Sequence, residues 1–192
     1  MSRQQAKGNT FPPLQKRIIL YLAGKGPQTI NQTTKDIHGH YKSAWTAFDT
    51  LKKKGLIQEV KSKDYRGREY PQFWITEKGI FLALCEGAKS DILLRRTREI
   101  YPEERDLQFL IETVPILGKH AFDVLRLAVL TDGQIEQADV ESILVAQIQN
   151  QSTPEATRQY IAVLKKYPEQ HQRHVDYVKQ TQKKLSDLSD LL

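Results

Sequence analysis

The side chains best suited to chemistry sit in one short stretch. Tyr41, Lys42, Ser43, Thr46, Lys52 and Lys53 fall within 13 consecutive positions, and Lys63, Arg66 and Arg68 follow close behind. A phenol, two hydroxyls and several cations are donors for phosphate oxygens and for the exposed edges of bases. They are poor material for proton transfer or nucleophilic attack, which need an activated partner close by. Catalytic signatures are missing elsewhere too. There is no phosphate-cradling Gly-rich loop, no His-Glu-x-x-His and no Gly-x-Ser-x-Gly. His171 and His174 share a helical spacing beside Glu169, and His38 and His40 flank Gly39, but a structural zinc site takes four ligands. Cys85 is the one cysteine, set in the apolar run Ile80 to Cys85, where a buried, inert thiol is expected. The expectation is a non-enzyme with no cofactor and no metal.

Positioning those donors requires a helix and a hairpin. Ala44, Ala47, Phe48 and Leu51 recur at helical spacing and form an inner stripe for a helix that starts near Tyr41. Tyr41, Lys42, Ser43, Trp45, Thr46, Asp49 and Lys52 then lie outside. Trp45 is expected to be buried all the same, packed under the neighbouring hairpin or against a partner, because exposed tryptophan is uncommon. Asp49 is placed to pair with Lys52 or Lys53. Lys52, Lys53 and Lys54 complement the helix dipole in the last turn, and Gly55 is the expected left-handed cap. Leu56 to Lys61 reads as a strand, Ser62 to Gln72 as a charged loop turning at Gly67, and Phe73-Trp74-Ile75 as the returning strand. Thr76 is the expected N-cap of the next helix.

Upstream, Met1 to Thr10 reads as a flexible basic tail carrying Arg3 and Lys7. Leu14 to Ala23 is an amphipathic helix with Leu14, Ile18, Tyr21 and Leu22 inside, ended by Gly24 to Pro27. Thr29-Ile30 reads as a short strand, Asn31 as the N-cap of a helix through Ile37, and His38-Gly39 as a turn.

The order from His40 to Thr76 resembles the winged helix-turn-helix DNA-binding family. Two stretches carry the likeness: Ala47-Phe48-Asp49-Thr50-Leu51-Lys52-Lys53-Lys54-Gly55-Leu56-Ile57, similar to the end of the family's recognition helix, and Trp74-Ile75-Thr76-Glu77-Lys78-Gly79, similar to the exit from its wing. The resemblance spans roughly residues 11 to 86. It implies a winged helix-turn-helix domain over 11–87, with the third helix entering a major groove through Lys42, Ser43 and Thr46 and the wing reaching backbone or minor groove. PadR-like and MarR-like transcription regulators have a similar layout, with helical tails that pair two copies. Winged helices also act as protein-interaction adaptors, so fold alone leaves both functions open.

Charge follows the same division. The 192 residues carry a net +6, with residues 1–88 holding 15 Lys/Arg against 7 Asp/Glu, net +8, and residues 89–192 holding 14 against 16, net −2. A basic front on a mildly acidic rear suits a polyanion-binding domain joined to an assembly domain.

Residues 88–192 read as an all-helical domain for dimerisation or partner binding. Ser90-Asp91 opens a helix to Tyr101 with Arg95, Arg96 and Arg98 on its polar side. Pro102-Glu103-Glu104 starts another, interrupted by Pro115 and Gly118. His120 to Leu130 is the densest apolar run, Asp132-Gly133 a turn, and Val140 to Ile148 a further helix. Thr153-Pro154 is a strong helix start, with Tyr160, Ile161, Val163 and Leu164 as the apolar face. From Pro168, Val175, Val178, Gln182, Leu185, Ser189 and Leu192 alternate by three and four, an imperfect coiled-coil seam with Leu188 alongside. A homodimer through this seam is expected, a protein partner being the alternative. No apolar run approaches 18 residues and no signal-peptide core is visible, so the expected location is the cytoplasm, away from membranes.

Overall fold

Thr76 is where the front of the molecule is tied together. Its side chain accepts the Gly79 N–H as N-cap of the following helix (3.2 Å) and donates to the Gly55 carbonyl (2.6 Å), while its own N–H reaches the Leu56 carbonyl (3.1 Å). The computed structural model describes residues 11–130 and 153–189, mainly helical with one two-stranded antiparallel sheet. The chain divides into two compact units between Ala88 and Lys89. Phe11 begins the described part of the first unit; the tail Met1 to Thr10 lies outside the described residues.

The first unit runs α1 (Pro13–Lys25), α2 (Ile30–Asp36), α3 (Tyr41–Lys53), β1 (Ile57–Tyr65), β2 (Arg68–Ile75) and α4 (Glu77–Cys85). Its core is Ile18, Ile19, Leu22 and Ala23 of α1, Ala44, Ala47, Phe48 and Leu51 of α3, Phe73, Trp74 and Ile75 of β2, and Ile80 to Leu84 of α4. Leu14 and Tyr21, expected inside, are only partly buried, because the buried arc of α1 is centred on Ile18, Ile19 and Leu22. The helix also runs past Gly24 and stops at Gly26, whose φ of 85° breaks the pattern. α2 is capped by Thr29, whose hydroxyl accepts the Gln32 N–H (3.2 Å), and Asn31 lies inside the helix rather than at its cap. The short strand expected at Thr29-Ile30 is a single bridge one residue earlier, Gln28 to Phe73.

α3 ends as its sequence dictates. Gly55 has φ 65°, its N–H reaches the Lys52 carbonyl and the Leu56 N–H reaches the Leu51 carbonyl, a doubly bonded left-handed cap flanked by buried Leu51 and Leu56. The hairpin is longer than its apolar residues imply. Pairing runs from Ile57↔Ile75 to Tyr65↔Arg68, with a bulge between Glu59 and Lys61, so the expected charged loop is mostly strand. The true loop is Arg66-Gly67, both at positive φ (56° and 73°), as a two-residue hairpin turn demands.

In the second unit, α5 (Ser90–Ile100), α6 (Arg105–Leu117), α7 (Lys119–Leu130), α8 (Pro154–Leu164) and α9 (Pro168–Ser189) follow in order among the described residues. Ser90 is the first helical residue; Lys89 holds the N-cap position and makes no side-chain cap bond. α6 begins at Arg105, later than Pro102-Glu103-Glu104 suggest, and Pro115 lies inside it, two residues before the end. That proline forfeits one backbone bond close to a terminus, where the cost is small, and Gly118 (φ 73°) stops the helix. Thr153 caps α8 as expected, accepting the Ala156 N–H (3.2 Å). Ile161 is exposed, so the inner face of α8 is Tyr160, Val163 and Leu164. The turn at Asp132-Gly133 and the helix from Val140 to Ile148 lie outside the described residues. So do Leu192 and the side chains of Val178, Leu185 and Leu188; Val175 is half-buried.

Glu112 of α6 is the polar centre of this unit. One carboxylate oxygen accepts from the Tyr167 hydroxyl (2.8 Å) and Arg98 (2.9 Å), the other from Lys166 (2.5 Å). The carboxylate thereby joins α5, α6 and the α8–α9 turn. Phe109 stacks edge-on against Tyr167 at 5.7 Å, and Asp106 binds Gln170 and Arg173 of α9. Burial pushes the Glu112 carboxyl up, but hydrogen bonds from Lys166 and Tyr167, with the charges of Lys166 and Arg98, outweigh it and hold the group below its ordinary value.

Two outcomes follow from this packing. A Cβ on Gly79 would lie 2.1 Å from the Leu56 carbonyl oxygen, a backbone atom, and 3.0 Å from the Ile75 Cβ, so Gly79→Ala lowers unfolding free energy by about 3 kcal/mol in urea titration. For Glu112, a depressed folded-state pKa gives stability that is complete above the unfolded value of about 4.3 and is lost as pH falls through the folded value. Glu112→Gln therefore costs about 2 kcal/mol at pH 7 and flattens the decline in stability between about pH 5 and 3, both read by denaturant titration across pH.

Candidate functional site

α3 faces the core with Ala44, Ala47, Phe48 and Leu51, all buried, and this fixes what it turns outward. Tyr41, Lys42, Ser43, Trp45, Thr46, Lys52 and Lys53 are all exposed. The outward side is therefore a continuous strip of donors and rings about three and a half turns long. The Thr46 hydroxyl donates to the Lys42 carbonyl (3.1 Å) and keeps its acceptor lone pairs. Asp49, the strip's only acid, pairs with Lys53 at 2.8 Å. Lys52 stands 6.0 Å over the Phe73 ring, and Lys54 5.5 Å over that of Phe11, so both ammonium groups are held near the end of α3.

Trp45 does not pack under the hairpin. It is 55% exposed, and its helical neighbour Tyr41 is 52% exposed. The tryptophan that packs is Trp74, fully buried, its indole N–H donating to the Leu22 carbonyl at 2.9 Å. The space that Trp45 was expected to fill is already taken by Phe48 and Phe73, stacked edge-on at 5.6 Å.

The hairpin sorts its charges between two faces. Directly paired residues share a face and alternate along each strand. Register places Lys61, Lys63, Arg68, Tyr70 and Gln72 on the face of Trp74, and Glu59, Ser62, Asp64, Glu69 and Pro71 on the face of Phe73. The hydrogen bond from Ser62 to Glu69 (3.2 Å) joins two members of the second set. Phe73 turns that acidic face toward α3. The basic face turns toward α2, where Lys63 and Tyr70 line an open cleft of about 490 Å³ with Thr29, Asn31, Gln32 and Lys35.

The sequence-predicted donors thus fall into two groups. Tyr41, Lys42, Ser43, Thr46, Lys52 and Lys53 are brought together on α3. Lys63 is brought together with Lys35 instead, with Arg68 on the same face of the hairpin and Arg66 at its tip, at the left-handed position of the turn. Sequence reasoning missed Lys35 and Gln32, whose proximity to Lys63 depends on strand register. Gln32 also donates to Asp36 (2.7 Å), which accepts the Tyr21 hydroxyl (2.5 Å); burial and then Asp36 push that phenol up, so it stays protonated.

Among the described residues no three His, Cys, Asp or Glu side chains converge as a metal site, and no helix is long and apolar enough to cross a membrane. Cys85 is half-buried rather than enclosed. No protein-family profile, curated protein or solved structure matches this chain.

The contrast between the two tryptophans is directly measurable. In Trp45→Phe the remaining emission, from Trp74, shifts to the blue and resists acrylamide; the unsubstituted protein shows an additional, readily quenched component.

Proposed function

We propose that the chain binds double-stranded DNA with sequence preference, as a winged helix-turn-helix transcription regulator. The observation that carries this reading is the strip on α3: six exposed donors, one acid and that acid neutralised by Lys53. In this reading α3 enters the major groove, where Lys42, Ser43 and Thr46 of its first turns meet base edges and phosphates. The hairpin is the wing. Its Arg66 tip reaches an adjacent backbone or minor groove, and the cleft of Lys35 and Lys63 holds a phosphate beside the groove. Net +8 over residues 1–88 supplies the long-range attraction.

Two copies joined through α9, along the seam of Val175, Val178, Leu185, Leu188 and Leu192, would present two such helices to a two-fold site. The adaptor reading gains from the exposed aromatic pair on α3, which a protein partner could also cover.

Selection of bound sequences from a random duplex pool, with the intact chain, separates the two readings. A regulator enriches a two-fold-symmetric site and binds it with a steep salt dependence; an adaptor enriches nothing. On the enriched site Lys42→Ala and Lys63→Ala each flatten the slope of log affinity against log salt by about 0.9. Unchanged slopes in both variants would remove these lysines from the interface.

A further inference from the structure

We propose that Trp45, with Tyr41 beside it, reads thymine: the indole and phenol rings of α3 pack against C5-methyl groups in the major groove. The inference rests on the duplex-binding reading and adds to it a base specificity and the residue that carries it.

Trp45 is an expensive residue to leave in water. Burying an aromatic ring of this size removes on the order of 150–250 Å² from solvent, and this chain buries its other indole completely, with its N–H satisfied. Trp45 instead stands half in solvent on the second turn of α3, its side chain without a hydrogen bond or ring contact among the described residues. It and Tyr41 lie one turn apart and make one apolar stripe. Lys52 continues that stripe, Lys42 and Thr46 flank it, and Asp49 is paired with Lys53. An apolar stripe set in uncompensated positive charge fits an apolar feature set in negative charge.

The major groove of duplex DNA has that arrangement. Phosphates line its rims, and the thymine methyl is the apolar group on its floor. The methyl also distinguishes thymine from cytosine at the same edge, so a ring placed against it reads sequence without a hydrogen bond. A groove helix that presents only cations and hydroxyls would lack this contact. Trp45 carries no charge, so its contribution is independent of salt, unlike that of Lys42 or Lys63.

Deoxyuridine differs from thymidine by the one methyl group. Each thymine of the selected site is therefore replaced in turn by deoxyuridine, and binding is measured for the intact chain, Trp45→Ala and Trp45→Phe. Affinity of the unsubstituted protein falls about four-fold for each methyl lost beneath the rings. Trp45→Ala binds the thymine site more weakly, at an unchanged salt slope, and becomes indifferent to deoxyuridine at those positions. Trp45→Phe retains part of the discrimination, which guards against misfolding of the alanine variant. A deoxyuridine penalty that persists in Trp45→Ala, or no penalty at any position in the intact chain, overturns the assignment while a steep salt slope leaves duplex binding standing. Failure to bind any duplex overturns both, and a loss in Trp45→Ala confined to single strands or to a protein ligand does the same.

Discussion

The first unit depends on one close approach. The Leu56 carbonyl accepts the Thr76 N–H and lies against the Cα of Gly79, at a distance only glycine permits. Gly55, one residue earlier, ends α3 with its left-handed φ and gives its own carbonyl to the Thr76 hydroxyl. The end of α3, the start of β1, the end of β2 and the start of α4 are thus fastened within a few residues of one another. Helix and hairpin cannot rotate independently at their roots. That matters for any surface the two share, because a ligand bound by both would otherwise have to order them first, at about 1–2 kcal/mol for each residue fixed.

Electrostatics then depends on register. The hairpin's acids and bases alternate in sequence, and only the pairing of β1 with β2 separates them into an acidic face toward α3 and a basic face toward α2. The bulge between Glu59 and Lys61 sets this division. Without it, every residue of β1 beyond the bulge would move to the opposite face, and Lys63 would sit among Glu69 and Pro71 rather than beside Tyr70. Glu59, next to Phe73 in the pairing, is the acid of that face closest in register to the Phe48–Phe73 contact.

Where the sequence speaks through local chemistry, it is readable. The limits of α3, the glycine that ends it, and the caps Thr76 and Thr153 follow from side chains bonding to backbone a few residues away, as does the inner stripe of Ala44, Ala47, Phe48 and Leu51. The hairpin beyond Lys61 is unreadable by apolar alternation, because both of its faces are polar and periodicity of hydrophobicity has nothing to register. Thr29 and Asn31 are both competent caps, and only the backbone decides between them. The cleft residue Lys35 is nearly thirty positions from Lys63, so no short-range pattern links them. Trp45 fails to pack under the hairpin for a different reason: tryptophan is usually inside, but Phe48 already fills the inward position one turn on.

That competition explains which side chains α3 turns outward. A helix has room for about four inward residues over this length, and here they are two alanines, a phenylalanine and a leucine. The small pair lets α3 approach its neighbours closely, and the large pair locks it against β2 through the Phe48–Phe73 stack. With the inward arc filled and rigid, an indole at position 45 has no inward route, because the helical spacing turns it about 60° from Phe48 toward the lysines. Its exposure is thus a consequence of how firmly the rest of the helix is held. On the proposed reading of α3 this combination would matter, because rings placed over a closed scaffold keep their position without a partner to hold them.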